Sequence, residues 1–139
     1  MKRNVSVIAL NPQKQILLIK ENGFYKIPEG ICNPEETLQE AAERLVRETV
    51  NAKFTDERTV SYCPQGIISI EEYPEYSIVF GNVEDNDSSD DMPNAIWMNE
   101  MESYFRISRQ LRYGEPFKGN EYMVPSSIHS LVTVRFLKS

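Results

Sequence analysis

One helical segment constrains the fold of this chain more than any other feature of its sequence. The segment 37–51 begins with Thr-Leu-Gln-Glu and ends with asparagine. The Thr37 hydroxyl can accept a hydrogen bond from the backbone N–H of Glu40, while the Glu40 carboxylate reaches back to the backbone N–H of Thr37. Asn51 readily adopts the left-handed conformation that ends a helix. The sequence therefore predicts a helix from Thr37 to about Val50.

This helix is amphipathic, and a purely structural role explains most of its residues. On the polar face Glu40 precedes Arg44 by four residues, and Glu43 precedes Arg47 by the same spacing. Each such pair stabilises a helix by only a few tenths of a kcal/mol. Glu48, at the edge of the apolar stripe, is the charge that this structural role leaves unexplained. The apolar stripe itself consists of Leu38, Ala42, Leu45, Val46 and Thr49.

The rest of the chain alternates short β-rich runs with turn signals, which favours a mixed sheet covered by helices, an α/β (α+β) fold. We find no repeat and no domain boundary, so residues 1–139 are predicted to form a single domain. The acidic segment 84–94 is predicted to be a solvated loop, and 112–124 a long loop. The predicted strands are 5–10, 15–20, 24–27, 59–63, 66–71, 76–83 and 95–98, and further helices are predicted over 99–105 and from 125 or 126 to 137.

Composition excludes several classes of function. The net charge of -6 argues against binding to a nucleic acid backbone, which needs a basic surface. It leaves open a small phosphorylated ligand, because a divalent cation can supply positive charge locally. No apolar run approaches the roughly 20 residues that span a bilayer, so we expect no association with a membrane. We expect the protein to be cytoplasmic. Cys32 and Cys63 form no C-x-x-C pair, so we expect reduced thiols rather than a zinc site.

The residues around the helix follow a family pattern. Gly30 is followed after five residues by Glu36, which is followed after seven by Arg44; Val46 and Glu48 come next at alternate positions. This spacing resembles the box of the Nudix (MutT-like) family, G-x5-E-x7-R-E-U-x-E-E-x-G-U, where U is a bulky aliphatic residue. The preceding Phe-Tyr-Lys-Ile-Pro-Glu-Gly resembles the aromatic-x-L-P-G-G run of that family. The later Ile-Trp-Met-Asn-Glu-Met over 96–101 resembles its W-x-x-x-E-hydrophobic segment.

The resemblance implies a fold and an activity. The fold is an α/β/α sandwich with a mixed β-sheet. The activity is hydrolysis of a nucleoside diphosphate linked to another group, with Mg²⁺ or Mn²⁺ held by glutamates at i, i+3 and i+4 of the box helix. Hard cations bound by carboxylate oxygens neutralise a pyrophosphate and activate water.

This chain departs from the family at the metal ligands. The three ligand positions hold Leu45, Glu48 and Thr49, so one carboxylate of three is kept. Glu29 replaces the first glycine of the family's Gly-Gly pair. The last glycine of the box is Asn51, a mild change for a residue that can end a helix. Weak binding of Mg²⁺ or Mn²⁺ is therefore expected.

The candidate catalytic residues are Glu48, as surviving ligand and base, and Arg44, which the family uses to orient its glutamates. In this chain Arg44 is predicted to pair with Glu48 or Glu40, a structural ion pair. Glu29 and Glu84 are candidate replacement metal ligands, although acids at strand ends are more often simply solvated.

The sequence leaves two functions of different classes open. One is a Nudix pyrophosphohydrolase that is weak or altered in its metal dependence, which family resemblance favours. The other is a catalytically inactive Nudix-like domain that binds a nucleotide or a protein partner, which the lost carboxylates favour. The expected partner is a nucleotide-type small molecule, and the resemblance also implies a homodimer. Substrate identity is not encoded in any motif of the sequence.

Overall fold

A computed structural model describes residues 3–62, 76–84 and 94–138 of the chain. These residues form one mixed sheet and three helices. The predicted strand 66–71 and most of the acidic segment 84–94 lie outside the described residues. The strands are β1 Arg3–Leu10, β2 Gln15–Glu21, β3 Phe24–Lys26, β4 Glu29–Cys32, β5 Phe54–Tyr62, β6 Tyr76–Val83, β7 Ala95–Asn99 and β8 Tyr122–Met123, and the helices are α1 Leu38–Val50, α2 Glu100–Tyr113 and α3 Pro125–Lys138.

The sheet mixes parallel and antiparallel pairs, as predicted. Its main path runs β5-β6-β1-β2-β3-β8, while β4 pairs with β1 and β7 pairs with β2. The pairs β1–β6 and β3–β8 are parallel. Because β1 has β6 on one side and β2 and β4 on the other, it is the central strand from which the remaining elements are positioned.

Two apolar cores lie on opposite faces of this sheet. Successive side chains of a strand point to opposite faces, and β1 shows this directly: Val7 belongs to the core beneath α1, whereas Ile8 belongs to the other core. Helix α1 contributes Leu45 and Val46 to the first core. Helices α2 and α3 contribute Ile107 and Leu131 to the second. The molecule is therefore a helix–sheet–helix sandwich, which confirms the predicted fold class.

The structure corrects several predicted element bounds. Strand β4 was not predicted, since it follows Pro28 and contains a glycine, and only its pairing with β1 makes it a strand. Strand β8 lies within the predicted loop 112–124, where a two-residue parallel pairing with β3 has no sequence signal. Strand β5 begins at Phe54 rather than at residue 59, and α2 runs to Tyr113 rather than to residue 105. Gly114, at φ 67°, ends α2.

No helix in the described part of the chain is long and apolar enough to cross a membrane.

Candidate functional site

Both ends of α1 are fixed as the sequence predicts. The Thr37 hydroxyl accepts a hydrogen bond from the backbone N–H of Glu40 at 3.1 Å, and the Glu40 carboxylate accepts one from the backbone N–H of Thr37 at 3.0 Å. Asn51 adopts φ 50° and ψ 45°, and its N–H donates to the Arg47 carbonyl. The box helix is therefore positioned by its own capping residues, and Asn51 takes the role of the family's last glycine.

The turn before α1 is held by an ion pair between Arg44 and Glu36. The Glu36 carboxylate accepts from Arg44 Nε at 2.9 Å and from Arg44 Nη2 at 3.1 Å, and also from the backbone N–H of Asn33 at 3.0 Å. Arg44 Nη2 donates in addition to the Ile31 carbonyl of β4 at 2.9 Å. These hydrogen bonds lower the pKa of Glu36, chiefly through Arg44, and raise the pKa of Arg44. The bidentate contact ties β4, the turn and α1 into one unit.

The predicted partners of Arg44 are only partly correct. Arg44 Nη1 lies 3.6 Å from Glu48 Oε1, so the predicted Arg44–Glu48 pair is present. The Glu40 carboxylate instead accepts from the backbone N–H of Thr37. Glu36, which the sequence placed only in the frame of the box, is the main partner of the arginine.

Gly30 and Leu45 are packed against one another. Leu45 is 8% exposed and belongs to the core beneath α1. A Cβ built on Gly30 would lie 2.8 Å from Leu45 Cδ2, so the buried leucine side chain would have to shift to admit it. Gly30 has no positive φ, so its glycine is needed for close packing and not for a turn. An isobutyl group thus covers the strand where the family's pattern places a carboxylate.

The other two ligand positions do not supply a second carboxylate. The Thr49 hydroxyl donates to the Leu45 carbonyl at 2.7 Å, within its own helix. The Glu48 side chain is 61% exposed and reaches only the edge of Arg44. Hydroxyl back-bonding of this kind satisfies the threonine locally. Glu48 is therefore the one acid that α1 offers at these three positions.

Glu29 and Glu84 lie far apart in the sheet. Glu29 is exposed on β4 opposite Ser6 of β1. Glu84 is exposed beyond the end of β6, where its N–H donates to the Lys53 carbonyl, and the last β6 residue paired with β1 lies opposite Leu10. Ser6 and Leu10 are four residues apart, on the order of 13 Å along β1. In addition, β4 and β6 flank β1 on opposite sides.

The described residues do not fit the divalent-metal site that the family pattern implies. Within residues 3–62, 76–84 and 94–138, no group of three or more His, Cys, Asp or Glu side chains could hold a metal ion. Mg²⁺ and Ca²⁺ need several oxygen ligands around one point. The assignment of Glu48, Glu29 and Glu84 as metal ligands therefore stays a prediction, and these three acids do not form a common cluster.

A different pair of acids, which the sequence did not predict, meets between α1 and β5. Burial, followed by the proximity of the Glu43 carboxyl group, raises the pKa of Glu57 on β5 to about 7. Glu57 Oε1 is buried and has no hydrogen-bond partner among the described residues. The sequence predicted Arg47 as the partner of Glu43 from helical spacing. The four-residue spacing was visible in the sequence, whereas the approach of β5 was not.

Comparison with known proteins gives a family match and several structural neighbours. A model of the NUDIX domain matches residues 1–103. The structure of an ADP compounds hydrolase is 18% identical with a TM-score of 0.63, over 99% of this chain and 73% of that one. A structure from a study of MutT from Aliivibrio salmonicida and Vibrio cholerae is 13% identical with a TM-score of 0.57, over 95% and 96%. The E. coli ORF135 protein is 16% identical with a TM-score of 0.58, over 100% and 93%. No curated protein matches in sequence.

Proposed function

This chain belongs to the NUDIX domain family, and from that premise we propose that it binds a nucleoside diphosphate-linked compound and hydrolyses it far more slowly than members with a complete box. The observation that carries the proposal is the contact between Leu45 and Gly30. It puts apolar atoms where the family's chemistry needs a carboxylate. The ligand class comes from the family and from the ADP compounds hydrolase among its structural neighbours.

The frame of the box supports a binding function. Gly30, Glu36 and Arg44 keep their family positions, and the bidentate pair between Arg44 and Glu36 rigidifies the strand–turn–helix unit. A rigid site lowers the entropy that binding must overcome. Because the chain carries a net charge of -6, we expect the nucleotide to bind best when its own phosphates are already complexed with Mg²⁺ or Mn²⁺.

The composition of α1 limits catalysis. Of the three ligand positions, only Glu48 offers a carboxylate. The Arg44 guanidinium, at 3.6 Å, partly neutralises the charge of that carboxylate. Metal ions that polarise a phosphoryl oxygen lower a barrier by several kcal/mol. With about 1.4 kcal/mol for each factor of ten in rate, loss of such a site lowers turnover roughly 10³-fold.

A second candidate function is binding of such a compound without hydrolysis. The burial of Leu45 and the hydrogen bond from the Thr49 hydroxyl to the Leu45 carbonyl favour it, because neither position offers a carboxylate. In the first function the exposed Glu48 would serve as the base and the remaining ligand, and in the second it would have no such role.

A panel of nucleoside diphosphate-linked compounds distinguishes the two functions. With Mg²⁺ or Mn²⁺ present, calorimetry is expected to show saturable binding of at least one compound, and product assays to show turnover about 10³-fold below that of a complete-box protein. Glu48→Gln should leave binding within a few-fold and should abolish any residual turnover. Glu35→Gln, an exposed acid of the same turn, is the matched control.

The outcomes separate clearly. Fast turnover that survives Glu48→Gln would contradict both functions as assigned here. Loss of turnover in Glu29→Gln or Glu84→Gln, but not in Glu35→Gln, would instead establish those acids as ligands. Absence of binding across the whole panel would remove the nucleotide from the proposal.

A further inference from the structure

Helices α2 and α3 expose an unusually apolar surface. The described part of the chain exposes eight large apolar side chains, and five of them lie on these two helices. Large contiguous apolar patches on the surface of a soluble protein often mark sites that contact another molecule. The five are Met101 at 68%, Phe105 at 62%, Leu111 at 62%, Tyr113 at 65% and Val132 at 43% exposure.

Between the two helices this surface forms a groove of about 440 Å³. Met101, Phe105 and Leu111 line it from α2, and Val132 lines it from α3. Its polar lining includes Arg112 and Arg135, and the Arg135 guanidinium lies 4.4 Å from the ring of Tyr104. The groove is thus an apolar slot with basic side chains at its edge.

The spacing along α2 suits a helix as its partner. Met101, Phe105, Ser108 and Arg112 follow one another at intervals of four, three and four residues, the spacing of a helix-pairing seam. All but Ser108 are well exposed side chains, and Ser108 is small enough for a partner's ring to lie over it. Two antiparallel copies of α2 would therefore place Phe105 of each against Ser108 of the other.

The charges beside this seam are complementary to those of a second copy in the antiparallel direction. Glu102 and Arg109 are seven residues apart and so share one flank of α2. The Arg109 guanidinium lies 5.9 Å from the Phe105 ring, which places it directly beside the seam. Around a two-fold axis this flank meets its own copy in reverse, so Glu102 would face the partner subunit's Arg109 on both sides.

We propose that this chain forms a homodimer through antiparallel pairing of α2 with the α2 of a second copy, with the groove beside α3 receiving the partner's apolar side chains. A parallel arrangement would set this flank against the opposite flank of the partner's helix, so Glu102 would not meet the partner subunit's Arg109. Within one chain Glu102 pairs with Arg106 at 2.7 Å and Arg109 with Glu115 at 2.6 Å, all at exposed positions. Such exposed pairs are weak and can be shared with the partner.

Charge reversal tests the pairing directly. Glu102→Arg and Arg109→Glu each create two repulsive contacts in a homodimer, so each variant alone should dimerise about tenfold more weakly than the wild type. An equimolar mixture should recover the association, because the arginine that replaces Glu102 in one chain then faces the glutamate that replaces Arg109 in the other. Sedimentation velocity over about 1 μM to 1 mM covers the dissociation constants of weak dimers.

Two further variants complete the design. Phe105→Glu should abolish dimerisation of the full chain, and Glu35→Arg, a charge reversal on the exposed turn before α1, should leave it unchanged. Circular dichroism of each variant confirms that it is folded. A wild type that is monomeric throughout the range overturns the proposal, and so does a mixture that associates no better than its two components.

Discussion

At the scale of the residue, Gly30 and Leu45 have to be considered together. The sequence shows each separately: a glycine at the start of a family box, and a leucine in the place of one of its acids. The structure shows that the side chain of one lies on the backbone of the other. The glycine that begins the family's box serves here to admit an apolar side chain. That role could not be predicted from the sequence, because it depends on the distance between β4 and α1.

The contact predicts a non-additive pair of substitutions. Gly30→Ala should cost about 1–3 kcal/mol of stability by overpacking against Leu45 Cδ2. Leu45→Ala should cost about 2–5 kcal/mol, since it removes a buried side chain. In the double variant the added methyl group enters the space that leucine has left, so the two costs should not add. Urea unfolding of the four proteins measures the coupling.

The cycle has an internal control. Gly114→Ala has open space around its Cβ but a positive φ of 67°, so its cost arises from the backbone and should be additive with Leu45→Ala. If the costs of Gly30→Ala and Leu45→Ala were strictly additive, the added Cβ would not meet Leu45 Cδ2 at 2.8 Å. Strand β4 and helix α1 would then lie further apart.

At the scale of the element, a helix or strand was predicted accurately where the residues that determine it lie within the element itself. Helix α1 was predicted within one residue, because its capping residues Thr37 and Asn51 act on their own backbone. Strand β6 was predicted with its observed bounds. Strands β4 and β8 were missed, since each exists only through pairing with a distant strand. In the site, the order of residues predicted the Arg44–Glu48 pair but not the Glu43–Glu57 contact, which joins two elements.

The Glu43–Glu57 contact between α1 and β5 predicts a pH dependence of stability. The pKa of Glu57 is raised from its ordinary 4.5 to about 7 in the folded protein. The folded state therefore holds a proton that the unfolded state has released, so the contribution of this group is fully present below about 4.5 and is lost as the pH rises through about 7. Glu57→Gln cannot ionise. It should gain stability relative to wild type between pH 5 and pH 8.

Chemical unfolding at several pH values measures this difference. Glu43→Gln should act in the same direction, since it removes the charge that Glu57 faces. Glu35→Gln, which is exposed, should follow the wild-type curve. A constant difference between Glu57→Gln and wild type at all pH values would mean that the two carboxyl groups do not share a proton.

At the scale of the whole molecule, the two cores separate two roles. The core beneath α1 includes Leu45 and supports the box helix, whereas the core beneath α2 and α3 supports the exposed apolar groove. The sheet between them links the two faces through alternate residues of β1. A substitution at the groove can therefore change assembly without touching α1, and the converse also holds. The family's frame of Gly30, Glu36 and Arg44 could be predicted from the sequence. The groove could not, because it requires α2 and α3 to be adjacent.

Metal binding couples to the stability of the whole fold, which gives a test that does not depend on any substrate. Wild type should show no measurable rise in Tm with Mn²⁺, because Glu48 is the one carboxylate at the three ligand positions of α1. Leu45→Glu combined with Thr49→Glu places carboxylates at i, i+3 and i+4 on one helix face, and should be less stable than wild type without metal, since Leu45 is buried. At a hundredfold excess over its dissociation constant, Mn²⁺ should restore about 2.7 kcal/mol of stability, several degrees of Tm.

The isosteric control, Leu45→Gln with Thr49→Gln, should show the loss of stability without the recovery that depends on Mn²⁺. If both double variants responded to Mn²⁺ alike, the three α1 positions would not converge on a cation, and the helix would lie at a different angle to β4 than the Gly30–Leu45 contact requires.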